Sequence, residues 1–269
     1  MKTNVKITNH KDKSFILNFN VTIDEIKKEY NHTLSHVAAD FEIKGFRKGK
    51  APLDIVKNSI SPEKMLDEVI NHVLSEKYDE IIKDNNLKPV TQPAVKILNP
   101  PFDLDKEWQI EITSATIPEI KIKPKAYIEI KKINTNSKLE KEKRTDAVIK
   151  VILENSETKI AKIILDNEVE RKLTNLIDQI RSASLTFETY LKNKNQNLDE
   201  LKHELEHQAQ DEWTLNLAIT QISSEQKLDP TEIEIKDIVS KNPQLTQNPS
   251  LVVYLLTQQK VINYLLSLV

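Results

Sequence analysis

The residues best equipped for chemistry in this chain stand in GFRKGK, positions 45–50. Arg47, Lys48 and Lys50, with Lys44 just before them, put four positive charges into seven residues around Phe46. A planar Arg fork grips phosphate or carboxylate bidentately and Lys adds compact charge. An exposed aromatic ring stacks or wedges against the same target. Gly45 and Gly49 are the only glycines among 269 residues, where average usage of ~7% would give roughly nineteen. Glycine at both ends lets the backbone take φ > 0 there, and Pro52 then fixes the entry to the next helix. The chemistry on offer is recognition of an anionic, partly flat surface. By residue types alone, an ordinary solvated basic turn is an equal alternative.

A second pattern, His203-Glu204-Leu205-Glu206-His207, matches HExxH. In zinc proteases two His at i and i+4 share a helical face, and the Glu serves as base to a metal-bound water. Here the flanks LDELK and QAQDE are charged and read as a solvated surface. A third ligand is required, and only Glu225 or a later acid could supply it. His10, His32, His36 and His72 form no ligand set by spacing. No Ser/His/Asp set, phosphate-cradling loop or dinucleotide fingerprint is present, so the expectation is no metal, no cofactor and no catalysis.

Composition narrows the class further. Charged residues make up 30%, aromatics 5% and the net charge is −2, a profile of long solvated helices rather than glycine-turned sheets. Any attraction to phosphate must be local, because the chain as a whole is not basic. Without cysteine there are no disulfides and no thiol chemistry. The start, MKTNVKITNHKDK, has no apolar run of the signal-peptide kind. The most apolar stretch, from Leu251, is broken by Gln258, Gln259, Lys260 and Asn263, so no bilayer span is expected. These readings predict a soluble, cytoplasmic chain. Leu251 to Leu256 and Val261 to Val269 carry more apolar surface than one helix stripe needs. Burial in a helical body is the expectation there over contact with clients.

Periodicity supplies the elements. Val5 and Ile7, then Phe15, Leu17, Phe19 and Val21, alternate across a polar turn and predict a hairpin. Thr22 with Glu25 is a capping box opening a helix striped by Ile26, Tyr30, Leu34, Val37 and Phe41. Ser61-Pro62 starts another, striped by Leu66, Ile70, Leu74, Tyr78 and Ile81. Val95 with Ile97, and Trp108 to Ile112, read as two further strands. Residues 1–116 are therefore expected to form an α+β domain with helices over one face of an antiparallel sheet. Residues 117–137 read as an extended, lysine-rich linker. Residues 138–269 read as an elongated all-α domain of five or six helices. Starts are expected near Asp166 or Asn167, and at Asn197, Asp229-Pro230-Thr231-Glu232 and Asn248-Pro249.

FEIKGFRKGKAPLDIV resembles the signature of trigger factor, the bacterial ribosome-associated chaperone family, with a G-F-R-x-G-K-x-P loop at the tip of an N-terminal domain. The strand pair, the helices on each side and the proline segment TIPEIKI agree with it over roughly residues 1–130. The resemblance implies a docking role beside the ribosomal exit tunnel for Gly45, Phe46, Arg47, Lys48, Gly49 and Lys50. Phe46, Arg47 and Lys48 would make the contacts, with Lys44 and Pro52 in support. ILDNEVERKLTNLIDQI and the stretch from Leu198 to Val239 are similar to the family's substrate-cradling C-terminal domain. The partners implied are ribosomal protein and rRNA, unfolded nascent chains and, off the ribosome, a second copy of the chain. The family's FKBP-like prolyl isomerase domain is absent, since only about Asn134 to Ile152 lies between the matched regions. The reading is an ATP-independent chaperone. An RNA-binding or ribosome-assembly factor using the same basic loop is the alternative.

Overall fold

The computed structural model describes residues 5–135 and 140–269, and its chain divides into two compact units, Met1–Ile117 and Pro118–Val269. In the first, strands β1 (Val5–Asn9), β2 (Ser14–Val21), β3 (Ala94–Ile97) and β4 (Trp108–Ala115) form one antiparallel sheet in the order β1-β2-β4-β3. The register sets Leu17 opposite Ile112, Phe19 opposite Ile110 and Val21 opposite Trp108. The period-2 alternation seen in sequence thus places one apolar face across both central strands. Trp108 is fully buried, its indole N–H donating to Asp103 O at 2.7 Å, with Phe102 edge-on to its ring.

Two helices cover that face. α1 (Ile23–Asp40) begins with the expected capping box: Thr22 Oγ1 accepts from Glu25 N, and Glu25 Oε2 accepts from Thr22 N at 2.9 Å. Lys77 also reaches Glu25, at 2.7 Å. Partial burial pushes the Glu25 carboxyl up, but the bonds from Lys77 and Thr22 outweigh it, and its pKa lies below the ordinary value. A short helix, α2 (Leu53–Ser59), leads to α3 (Pro62–Asp84), capped by Ser61 with Pro62 at its first position. The deep row of α3 is Met65, Val69, Val73 and Ile81. Leu66, Ile70, Leu74 and Tyr78, expected as its stripe, are only partly buried beside it. The helix carries a broad apolar face, and the sheet selects the row one residue earlier.

The second unit corrects the sequence reading in three places. Residues 117–137 are not an extended linker: β5 (Ile120–Ile122) pairs with β6 (Ser156–Thr158), and Lys125–Asn134 is helix α4. Ala126 and Ile130 of α4 are fully buried in the second core, a four-residue spacing hidden among lysines. Residues 136 and 137 of that expected linker, and 138 and 139 of the expected helical domain, lie outside the described residues. After α5 (Lys141–Glu154), α6 (Lys162–Ser182) starts at Ala161 without a side-chain cap, ahead of Asp166 and Asn167. Ile164 and Leu165 are buried, and their packing extends the helix past the better capping residues. Asp166 instead pairs with Lys162 at 2.9 Å. The strand β6, whose residues Ser-Glu-Thr carry no apolar alternation, has no counterpart in the sequence reading.

α7 (Phe187–Lys194), capped by Thr186, has no expected start. It leads to α8 (Leu198–Gln226), opened by an Asn197–Glu200 capping box, and α9 (Glu232–Lys241) opens on a Thr231–Glu234 box. A 3-10 turn precedes α10 (Pro249–Ser267), capped by Asn248. α8, α9 and α10 start at the expected caps. Val252, Val261 and Leu265 of α10 are buried, while Leu251, Val253, Tyr254 and Leu255 are exposed. Asn134 Nδ2 donates to Leu265 O and Leu268 O, so the end of α4 holds the chain terminus. Among the described residues, no helix is long and apolar enough to cross a membrane.

Candidate functional site

The loop between α1 and α2 is built on two successive turns. Phe46 N donates to Ile43 O at 3.0 Å and Lys50 N to Arg47 O at 2.9 Å. In each turn the third residue is glycine, Gly45 with φ +99° and Gly49 with φ +71°. Turns with φ > 0 at that position are glycine turns. Gly49 carries a second constraint: a Cβ there would collide with the carbonyl oxygen of Ala39 in the last turn of α1. Its amide donates to Phe41 O at 3.3 Å, closing the base of the loop. At Gly45 a Cβ would meet nothing within 4 Å.

Apolar anchors hold this base to the first core. Phe41, Ile43 and Ala51 pack against it, and Val56 of α2 is fully buried within it. What projects is the chemistry. Phe46 is 42% exposed, and Lys44, Arg47, Lys48, Lys50 and Pro52 are all exposed. Lys48 Nζ lies 3.2 Å from Asp40 Oδ1, both side chains open to water. Such a surface pair is weak, so an incoming phosphate or carboxylate can displace Asp40. Lys57 of α2 adds a further cation, 5.5 Å over the Tyr30 ring. The structure thus exposes Lys44, Phe46, Arg47, Lys48 and Lys50 together on one loop, with Gly49 at its base. Sequence reasoning missed Leu53 and Ile55, apolar yet exposed on α2. The sequence of so short a helix does not show which apolar residues are buried, and only the burial of Val56 shows that these two face outward.

The HExxH stretch lies in α8 and is arranged otherwise. His203 and His207 are exposed with ring centroids 4.6 Å apart. Glu204 accepts from Gln196 Nε2 at 2.8 Å and pairs with Lys194 at 3.4 Å. The Gln196 bond, with the Lys194 charge, holds its carboxyl below the ordinary range. Glu204 is therefore engaged by the loop and helix before α8 rather than poised over a His203/His207 cation. Among the described residues, no group of three or more His, Asp or Glu side chains is placed to hold a metal ion.

Comparison with known proteins places the chain in a family. Residues 1–152 match the family model described as bacterial trigger factor protein, and residues 124–269 match that of the bacterial trigger factor C-terminus. The chain belongs to the trigger factor family. The two matches overlap across 124–152, which holds α4 and most of α5, and neither is an isomerase module. A trigger factor of Clostridium botulinum is 27% identical over 191 residues, covering 71% of this chain and 41% of its own length. One from Streptococcus mutans is 26% identical over 153 residues, covering 57% and 34%. One from Clostridium acetobutylicum is 31% identical over 124 residues, covering 44% and 27%. The chain thus spans less than half the length of these curated trigger factors. A solved structure of the trigger factor chaperone, studied for promiscuous substrate recognition in folding and assembly, superposes with a TM-score of 0.62. It covers 98% of this chain and 99% of its own at 11% identity, which is a likeness of fold.

Proposed function

We propose that this trigger factor is a cytoplasmic, ATP-independent chaperone that docks beside the ribosomal exit tunnel through Gly45–Lys50 and shields emerging chains with its helical unit. The observation that carries the reading is the tip itself: an exposed Phe46 flanked by Lys44, Arg47, Lys48 and Lys50, on two turns that require glycine. Arg47 is suited to a phosphate or carboxylate by its fork, the lysines to rRNA phosphates by charge, and Phe46 to an apolar seat on ribosomal protein. Lys44 and Pro52 shape the two ends of the tip.

Docking raises the effective concentration of the helical unit around a nascent chain without any added contact. Exposed apolar side chains there, such as Leu251, Val253 and Leu255 at the start of α10, offer a small patch whose weak contacts delay rather than trap a client. No residue is assigned to isomerase chemistry.

Co-sedimentation with bacterial ribosomes tests the reading, wild type against a Phe46→Ala/Arg47→Ala/Lys48→Ala variant at physiological salt. The wild type is expected to pellet at micromolar affinity, and the folded variant to lose binding at least tenfold. Equal pelleting of both proteins would remove the loop from the mechanism. Binding to naked RNA with a steep salt slope, and no delay of client aggregation, would favour an RNA-binding role instead.

A further inference from the structure

Upstream of the docking loop, α1 carries His32 and His36 one helical turn apart, where they share a face. The sequence reading gave them no ligand role, because spacing alone does not show where the ring nitrogens point. In the structure His32 Nε2 and His36 Nε2 lie 3.1 Å apart, both rings exposed. The other nitrogen of His32, Nδ1, lies 3.0 Å from Glu29 Oε1. A carboxylate only accepts, so Nδ1 is the donor to Glu29 and Nε2 is the nitrogen that meets His36 at hydrogen-bond distance.

Glu29 is itself fixed. Its side chain is only 12% exposed, and Oε1 also accepts from Thr33 Oγ1 at 3.2 Å and faces His72 Nδ1 of α3 at 3.7 Å. A carboxylate bonded to one nitrogen of a histidine, leaving the other to bind, is the arrangement that orients metal-ligating imidazoles. A metal ion would displace the proton that the two Nε2 atoms share. At metal–nitrogen bonds of about 2.0–2.1 Å, two nitrogens 3.1 Å apart subtend roughly 100° at a common ion. That angle suits tetrahedral and square geometries alike.

We infer that His32 and His36 form a two-nitrogen site for a divalent transition metal of the zinc, nickel or copper class, with Glu29 as the positioning residue. Among the described residues no third ligand converges with them, so water completes the coordination and the affinity is modest. Imidazole ligation with no thiolate selects this class of ion over magnesium or calcium, and copper(II) binds most tightly within it. A cation shared by the two rings ties adjacent turns of α1, the helix whose last turn meets Gly49 of the loop.

The test is titration of the full chain, free of any histidine tag, with copper(II) and with zinc(II). Nitrogen hyperfine structure in the copper spectrum and calorimetry with zinc provide the readouts. Wild type is expected to show two-nitrogen copper and micromolar binding, lost at least tenfold in both His32→Ala and His36→Ala. It should persist in His203→Ala/His207→Ala, which removes the other pair of that spacing. Glu29→Gln should weaken binding about tenfold with the two-nitrogen signature kept. On unaltered protein, zinc should shift the ring resonances of His32 and His36 by NMR, a readout that needs no variant. The site is overturned if His32→Ala binds as wild type does, if binding follows His203 and His207 instead, or if zinc leaves the His32 and His36 rings unmoved.

Discussion

At Gly49 the chain has no room for a side chain and a backbone that side chains avoid; at Gly45 only the second condition holds. The two glycines therefore separate strain from collision. Gly45→Ala is expected to cost about 1–2 kcal/mol, the penalty of a left-handed backbone. Gly49→Ala costs more, because α1 and the loop base must move apart. Thermal unfolding should show a drop of several degrees for Gly45→Ala and a larger one for Gly49→Ala, with ribosome affinity falling in the same order. Equal midpoints would mean that the Ala39 approach does not constrain the loop. The pairing was legible in sequence because a chain so poor in glycine places both in one hexapeptide. The contact with Ala39 was not, since nothing local shows which backbone returns against which.

Helix starts divide the same way at the scale of elements. Thr22–Glu25, Asn197–Glu200 and Thr231–Glu234 were readable because both partners of a capping box lie within one turn. The start of α6 was not, since burial of Ile164 and Leu165 overrode the capping preference of Asp166 and Asn167. Nor was α4: its buried face, Ala126 and Ile130, meets residues of α8 and α10 far along the chain. The last of the three boxes is also a pH-dependent tie. Glu234 accepts from Thr231 N and, at 3.0 Å, from Lys260 of α10. The Thr231 amide first, then Lys260, lowers its pKa from 4.5 to about 2. A carboxylate lowered by folding contributes stability that is complete above its ordinary value and is lost as pH falls through the folded one. Glu234→Gln keeps an amide able to cap but removes the charge. It should be less stable at pH 7 and show a shallower loss between about pH 4.5 and 2 than wild type, followed by circular dichroism. Parallel acid profiles would sink the assignment.

Over the whole chain, two units with separate cores carry two different jobs in the proposed account. The α+β class of the first and the helical class of the second were readable from composition and period. The lysines of 117–137 conceal α4, so that stretch reads as a linker and not as part of the second unit. The family models run through that region without a break, so in sequence the second unit follows the first directly. In this proposal the first unit's tip, and no other surface, meets the ribosome. A photo-crosslinking residue at position 46 tests it most directly, with a probe at Lys96 on edge strand β3 as the comparison. The account expects position 46 to give adducts with ribosomal components near the exit tunnel that excess wild-type protein abolishes, and Lys96 to give none. Competed adducts at Lys96 with none at position 46 would contradict it.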